Sequence, residues 1–560
     1  MPIVIYFWNT SNSLRFMHKE KMTTSQTNVT RYDVAIVGGG HNGLSAACYL
    51  ALEGKKVVVI EALDKVGGMA SSGYVIPEAP HHLVHTCALD LMSLRVHPMM
   101  PIELGLEKHG FKQVEMTPGY VYLHPDGNSL VFWRDPQKTA AEIRRYSNND
   151  AEAFLALMKV LDAFMDIAVP MMRVDPTRTN IGAKFEALKA VLRNKKLKPD
   201  IMALATGSAY QATLERFEHP ITISAMCCLV GAAGPITADG TGIYFILLGF
   251  LHRFGVGRVV GGMQQLTNAM ASRLKELGGE IMVSAPVDEI IAVNGRARGV
   301  RLRDGRTIEA NAVIATIHPK MAFEMVTAGS FDRKLMTRVA LAPANAHGAS
   351  PLKVDVALRG QVSVTRHEAM RPDGLSLRKS VLLIGTTEAV LENFAASARG
   401  EVPTLPYMWI TAPSAVDPSQ APEGQDVAYL YPVAMPVNPR EGWDAIRTRV
   451  GQQVIDQADQ YMNGLKSLEI GRRVEASPDL AKRLNVHNGC VVHVDTSTMR
   501  SGQSRPAQGL GVEILPVAGF YLGGAGIHPG GGINGLPGRV AAGRVKRFLA
   551  KGAASVWKAA

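Results

Sequence analysis

A chain of 560 residues with 47% apolar content, 54 glycines and 31 prolines has ample material for a large core and reads as a mixed α/β globular protein, which excludes collagen-like and low-complexity architectures. The net charge of +11 invites a nucleic-acid partner, but the densest basic block, Arg193, Lys195, Lys196 and Lys198, has no interleaved aromatics or nucleic-acid motif; a solvated helix end is expected, with contact to anionic lipid as the second reading. Five cysteines, Cys48, Cys87, Cys227, Cys228 and Cys490, form no C-x-x-C pair, which argues against a zinc site or disulfide framework and for a reducing compartment.

The first segment, "MPIVIYFW", is too short for a signal peptide and lacks its basic flank and cleavage site. Residues 1–30 are expected to be a disordered extension, with Met22 as an alternative start, in a cytoplasmic protein; mitochondrial targeting is the weaker alternative. Asp33–Val37 then reads as an apolar strand, Gly38–Gly43 as a turn, Leu44–Leu52 as a helix burying Cys48, and Lys56–Ile60 as a strand ending at Glu61. The turn glycines fall as G-x-G-x-x-G. In such a unit Gly38 allows the tight turn, Gly40 lets a pyrophosphate approach the N–H groups of a helix N-terminus, and Gly43 lets helix and strand pack closely. Glu61, twenty-three residues after Gly38, stands where a carboxylate accepts hydrogen bonds from a ribose diol. The motif alone is weak evidence, but strand, turn, helix, strand and acid in order predict a dinucleotide site.

Further along, Ile221–Leu251 is apolar but interrupted by Pro235, Asp239 and several glycines, so a buried wall is expected rather than a membrane span, with Asp239 as a turn or cap residue. Val259–Thr316 reads as a glycine turn, an amphipathic helix and alternating strands. Gly519–Ala550 reads as a strand, a glycine-rich loop containing His528, and a helix. Met165, Met171 and Met172 suit an ordinary helical core and equally a tunnel for a long apolar ligand.

The second glycine pair, Gly67–Gly68 in "EALDKVGGMASS", follows closely behind Glu61 and resembles the extended fingerprint of FAD proteins of the glutathione-reductase and amine-oxidase type. With "GAGIHPGGG" (Gly524–Gly532) and "APSAVDPSQAPEGQDVAYLYP" (Ala412–Pro432), the chain from residue 32 onward resembles the phytoene desaturase-like flavoproteins, in the branch of pyridine nucleotide-disulfide oxidoreductase domain-containing protein 2 and desaturase-type carotenoid ketolases. That resemblance implies an α/β fold: a Rossmann-like FAD-binding domain of the glutathione-reductase/amine-oxidase type, from residues 31–70, 256–330 and 505–552, with an inserted α+β substrate domain from 71–255 and 331–504. It implies FAD held by Gly38, Gly40, Asn42, Gly43, Glu61, Gly67, Gly68, Met69, Ala70, Val287, Gly526, Ile533 and Asn534, with no metal.

The family's segment before the flavin places His493 and Arg505 beside His528 as candidate catalytic residues. "HNGCVVHVDTSTMRSGQSRP" keeps Arg505–Pro506 but lacks the branch's Asp-Gln pair. No C-x4-C follows the first glycine turn and there is no second convincing dinucleotide motif, so an internal NAD(P)H domain is not expected. The expected activity is desaturation or oxidation of a hydrophobic, isoprenoid- or carotenoid-like substrate by hydride transfer to flavin N5, with oxygen, a quinone or a redox protein as acceptor. The alternatives are an interaction or membrane-associated protein with structural FAD, and a reduced-FAD isomerase. Amine oxidation is disfavoured by the missing aromatic cage and by the "GAGIHPGG" ending.

Overall fold

The computed structural model describes residues 31–557 except 513, so the expected N-terminal extension lies outside the described residues. Four successive apolar residues, Val57–Ile60, can be buried on both faces only in a parallel sheet covered on two sides, and all four are buried. Val57 and Val59 enter one core, and Val58 and Ile60 the other, as the two-residue period of a strand requires. This strand runs parallel to Arg31–Val37 and Glu280–Met282. Arg31–Val37 pairs on its other side with Thr307–Ala315, also in parallel. The far edge of Thr307–Ala315 is shared: its first half meets Arg296–Leu302 antiparallel, and its last three residues meet Phe520–Leu522 in parallel. Val287–Val293 completes a seven-stranded sheet.

The helices His41–Leu52, Gln264–Glu276 and Leu536–Trp557 cover one face, packing Leu44, Ala47, Leu266, Met270, Ala541 and Val545 against Ile36 and Val59. His41–Leu52 and Leu536–Trp557 approach closely, since a side chain on Gly538 would collide with the Asn42 carbonyl. The first helix begins three residues earlier than its sequence suggests, because the Gly40 carbonyl already accepts from Leu44 N–H at 3.0 Å. This is the Rossmann-like architecture expected of an FAD-binding domain.

A second seven-stranded sheet runs in the order Glu469–Glu475, Lys353–Leu358, Asp426–Pro432, Met408–Thr411, Val381–Ile384, Tyr120–Leu123 and Ser129–Phe132. All its pairings are antiparallel except that of Val381–Ile384 with Tyr120–Leu123. Val121, Leu123, Leu382 and Ile410 pack with Ile446, Val450 and Val454 of the helix Trp443–Ala458. The opposite face, with Tyr120, Tyr122, Phe132 and Leu383, packs on a helical layer that includes Asn148–Met172, Pro220–Val230 and Ile246–Phe254.

The apolar stretch from Ile221 to Leu251 is therefore two short helices against a sheet, and Asp239 sits exposed in the turn between them. No described helix is long and apolar enough to cross a membrane. One helix stands apart from these cores: of Ile181–Arg193 only Ala190 is buried.

Candidate active site

Two kinds of glycine meet in the first turn. Gly38 has φ +102°, and a Cβ there would come within 2.8 Å of Thr316 Oγ1. A Cβ on Gly43 would collide with the Gly38 carbonyl. The fold itself demands these two. Gly40 is different. Its φ is −71°, and an added Cβ would find its nearest atoms at 3.9 Å and 4.0 Å, on Gly67 and Gly68. The protein alone would accommodate alanine, so the space over Gly40 is reserved for something other than the protein.

Glu61 shapes that space. Its buried carboxylate accepts from Gly39 N–H at 2.7 Å and Leu63 N–H at 2.9 Å, leaving one lone pair on each oxygen for a ribose hydroxyl. Gly67 N–H donates to the Gly39 carbonyl at 2.9 Å, so the second glycine pair lies directly against the first. His41 Nε2 and Asn42 Oδ1, at the helix N-terminus, are buried without a partner. Unpaired buried polar atoms are costly, and here they adjoin a cradle emptied of side chains. This arrangement fits the pyrophosphate and ribose of a dinucleotide.

A cavity of about 1160 Å³ is lined by this cradle and by the second sheet and its helices. Of the residues expected from sequence, Gly38, Gly40, Asn42, Glu61, Gly68, Met69, Val287, Ile533, His493, Arg505 and His528 line it. Gly43, Gly67, Ala70, Gly526 and Asn534 lie outside that lining, and each has a local task. Gly43 and Gly67 allow the close approaches just described. Ala70 N–H closes the turn onto the Gly67 carbonyl at 2.9 Å. Gly526 makes room for the Pro319 ring. Asn534 Oδ1 accepts from Leu536 N–H at 2.8 Å and starts the last helix.

The three candidate catalytic residues fare differently. His528 is buried, and its Nε2–H donates to the Met171 carbonyl at 3.2 Å, which leaves Nδ1 as the acceptor of a neutral ring. Burial pushes its pKa down to about 4. His493 sits at φ +63° with a buried, unpartnered Nδ1; burial and the neighbouring His318 ring, 5.7 Å away, hold it well below the usual histidine range. Arg505 is fully engaged with main chain. Its guanidinium donates to the carbonyls of Val492 (2.8 Å), Val494 (2.8 Å), Asp495 (3.4 Å) and Ala525 (3.0 Å). The expectation of a catalytic arginine gives way to a positioning one, because donors spent on four carbonyls sew residues 492–495 to the loop before His528.

Sequence reasoning missed other cavity residues. His41, within the Gly38–Gly43 turn, also lines the cavity, and its identity there follows no dinucleotide pattern. Tyr120, Trp409, Tyr429 and Tyr431 form an aromatic wall, with Tyr120 and Trp409 centroids 5.2 Å apart and Tyr429 and Tyr431 stacked at 5.9 Å. The i, i+2 spacing of Tyr429 and Tyr431 on one strand was a readable sign that they share a face. Only strand pairing brings in the other two.

A sequence profile of the flavin containing amine oxidoreductase family matches residues 43–542. The chain is 28% identical over 557 residues to mouse (Mus musculus) pyridine nucleotide-disulfide oxidoreductase domain-containing protein 2, covering 92% of this chain and 94% of that one. It is 24% identical to the lycopene-forming phytoene desaturase of Pseudescherichia vulneris, over 90% of this chain and 96% of the relative. Among solved structures, an oxidoreductase from Methanosarcina mazei matches with a TM-score of 0.58 at 16% identity, covering 92% of this chain and 100% of that one. The chain belongs to the flavin containing amine oxidoreductase family. It is an FAD-dependent oxidoreductase, similar within that family to the phytoene desaturase branch.

Gly40→Ala should weaken FAD binding at least about tenfold, since its Cβ displaces cofactor, while leaving the unfolding midpoint of the apoprotein unchanged. Glu61→Ala should lose FAD and also lower that midpoint, because the buried Gly39 N–H loses its acceptor at about 1–3 kcal/mol and the half-buried Leu63 N–H loses its own. Flavin absorbance after gel filtration, with thermal unfolding of the apoproteins, separates the two.

Burial holds His41, His252, His318 and His528 down at about 4, against about 6.5 in an unfolded chain. Between those values the unfolded state binds more protons, so stability rises with pH. Acidification from pH 6.5 toward pH 4 should lower the urea midpoint steadily, and His528→Gln should shallow that dependence by one proton.

Proposed function

We propose that this oxidoreductase removes a hydride from carbon on an apolar, isoprenoid-like substrate. The observation that carries the reading is the cavity: beyond the glycine cradle its wall is chiefly aromatic and aliphatic, with Phe164, Met171, Leu247, Phe250, Trp409 and Tyr431 among its lining. FAD, when bound, supplies a two-electron acceptor for the hydride. In this reading Gly38, Gly40, Asn42, Glu61, Gly68, Met69, Val287 and Ile533 hold the cofactor, and the apolar wall orients the substrate and excludes water. His528, a neutral imidazole fixed by the Met171 carbonyl, takes the proton that leaves with the hydride. Arg505 keeps the His528 loop in place. Oxygen, a quinone or a redox protein reoxidises the cofactor. The phytoene desaturase relative acts, by its name, on an isoprenoid, which supports the substrate class. Anaerobic mixing with the right apolar compound should bleach the flavin without NAD(P)H, and His528→Ala should slow bleaching at least about tenfold while FAD stays bound. Bleaching by NAD(P)H alone, or by amines alone, would overturn the reading.

An apolar substrate partitions into lipid, and the surface offers a place to meet it. On the helix Ile181–Arg193, Ile181, Phe185, Leu188 and Leu192 are 79%, 62%, 55% and 64% exposed. Lys184, Lys189, Lys195, Lys196 and Lys198 stand on or just beyond it. The helix follows the cavity-lining Met171, Met172 and Pro176. An apolar face rimmed with lysines suits an anionic bilayer. The protein should float with anionic vesicles, and Lys195→Glu with Lys196→Glu should reduce flotation severalfold; unchanged flotation would remove this helix as the contact.

A further inference from the structure

Three carboxylates line the cavity: Glu61, Asp90 and Asp495. Main-chain N–H groups hold two of them, Gly39 and Leu63 for Glu61, Asn345 (2.7 Å) and Ala346 (3.0 Å) for Asp495. Asp90 is held only by side chains, Tyr120 OH at 3.1 Å and Arg258 Nε at 3.4 Å. Both contacts are long for their type, so the carboxylate keeps accepting capacity. Its backbone is fixed beside the cofactor loops. Ala88 N–H donates to the Met69 carbonyl at 3.0 Å, Leu91 N–H to Gly257 at 2.8 Å, and Ser93 packs on Gly532.

A carboxylate beside an aromatic wall would ordinarily suit an ammonium ion. Here both features are backed by cations. Arg258 is completely buried, reaching Asp90 with Nε and Thr411 Oγ1 with a terminal nitrogen at 3.0 Å, while its other terminal nitrogen has no partner. Lys353 Nζ lies 3.7 Å from the Tyr429 ring centroid, so one face of that ring already holds a cation. Lys353 is paired with Asp355, yet its contact uses the quadrupole an incoming ammonium would need. A neutral hydroxyl needs only an acceptor, and Asp90 is one.

We propose that Asp90, oriented by Tyr120 and Arg258, is a substrate-recognition site that accepts a hydrogen bond from a neutral hydroxyl on an otherwise apolar substrate and disfavours protonated amines. This rests on the proposed function only for the apolar class of the substrate. Such a hydroxyl anchors one end of a flexible chain against the cofactor loops, where an unanchored hydrocarbon would slide along the wall.

The test uses the FAD-loaded protein and three probes with one shared isoprenoid chain: farnesol, farnesylamine and farnesene. Binding is followed by perturbation of flavin absorbance and by calorimetry. Farnesol should bind about tenfold tighter than either of the others, the scale of one hydrogen bond to a charged acceptor. Asp90→Leu should abolish the preference for farnesol over farnesene without weakening farnesene, with FAD content and unfolding midpoint as controls for folding. Because that change strands the buried Arg258 charge, Tyr120→Phe provides a second variant. It keeps the ring, removes one bond to the carboxylate, and should cut the preference about threefold. Equal affinities, tightest binding of farnesylamine, a preference unchanged in both variants, or no binding of any probe would overturn the proposal. Flavin bleaching by apolar substrates without an alcohol preference removes the Asp90 site and keeps the oxidoreductase reading; an alcohol preference without bleaching by any apolar compound does the reverse.

Discussion

The carboxylate of Glu61 ties the tip of the first glycine turn to the end of the second strand. By accepting from the N–H groups of both Gly39 and Leu63, it fixes where the turn stands relative to the sheet. The Gly67–Gly68 loop then rests on Gly39 and Gly40, and the last helix packs against the helix that the turn begins. The void over Gly40 exists because these three approaches agree on its position. One buried acid, bonded to backbone on each oxygen, therefore sets the geometry of the cofactor end of the cavity.

How much of this could be read from the sequence depends on how local the cause is. The first strand, turn, helix and second strand follow from residues adjacent in the chain, and their order was enough to name the cofactor class. Even there the helix start was misplaced, because the bond from Leu44 N–H to Gly40 is invisible to apolar periodicity. The distinction between Gly40 and Gly43 was likewise hidden, since both are glycines in one motif and only the surrounding atoms show which one the protein itself requires. Gly526 and Asn534 are cofactor contacts by family resemblance, and the fold shows a local role for each. One makes room for a proline ring, and the other caps a helix.

The substrate end was harder to read because it is assembled from remote pieces. Tyr120 and Trp409 come together through the pairing of Tyr120–Leu123 with Val381–Ile384 and of that strand with Met408–Thr411. No single window of sequence contains the wall. The same holds for its charges: Arg258 lies between valines and glycine on a strand that reads as plain core, yet it stands fully buried behind Asp90. Arg505 is a contrasting case. Its place in the segment before the flavin makes it a candidate by family resemblance, and in the fold its guanidinium donates to four main-chain carbonyls.

The shared edge of the strand Thr307–Ala315 carries a consequence for biogenesis. Its last three residues pair with Phe520–Leu522, which are translated only after every strand of the second sheet. Until then Val313–Ala315, fully buried in the finished sheet, has an open edge and lacks the helix Leu536–Trp557 beside it. An unpaired apolar edge is a template for wrong pairing, so the growing chain carries a vulnerable strand from the time Ala315 is made until Leu522 is made. Closure of the sheet and completion of the cofactor cradle are then one late event, and a chain that stops short of residue 520 has neither.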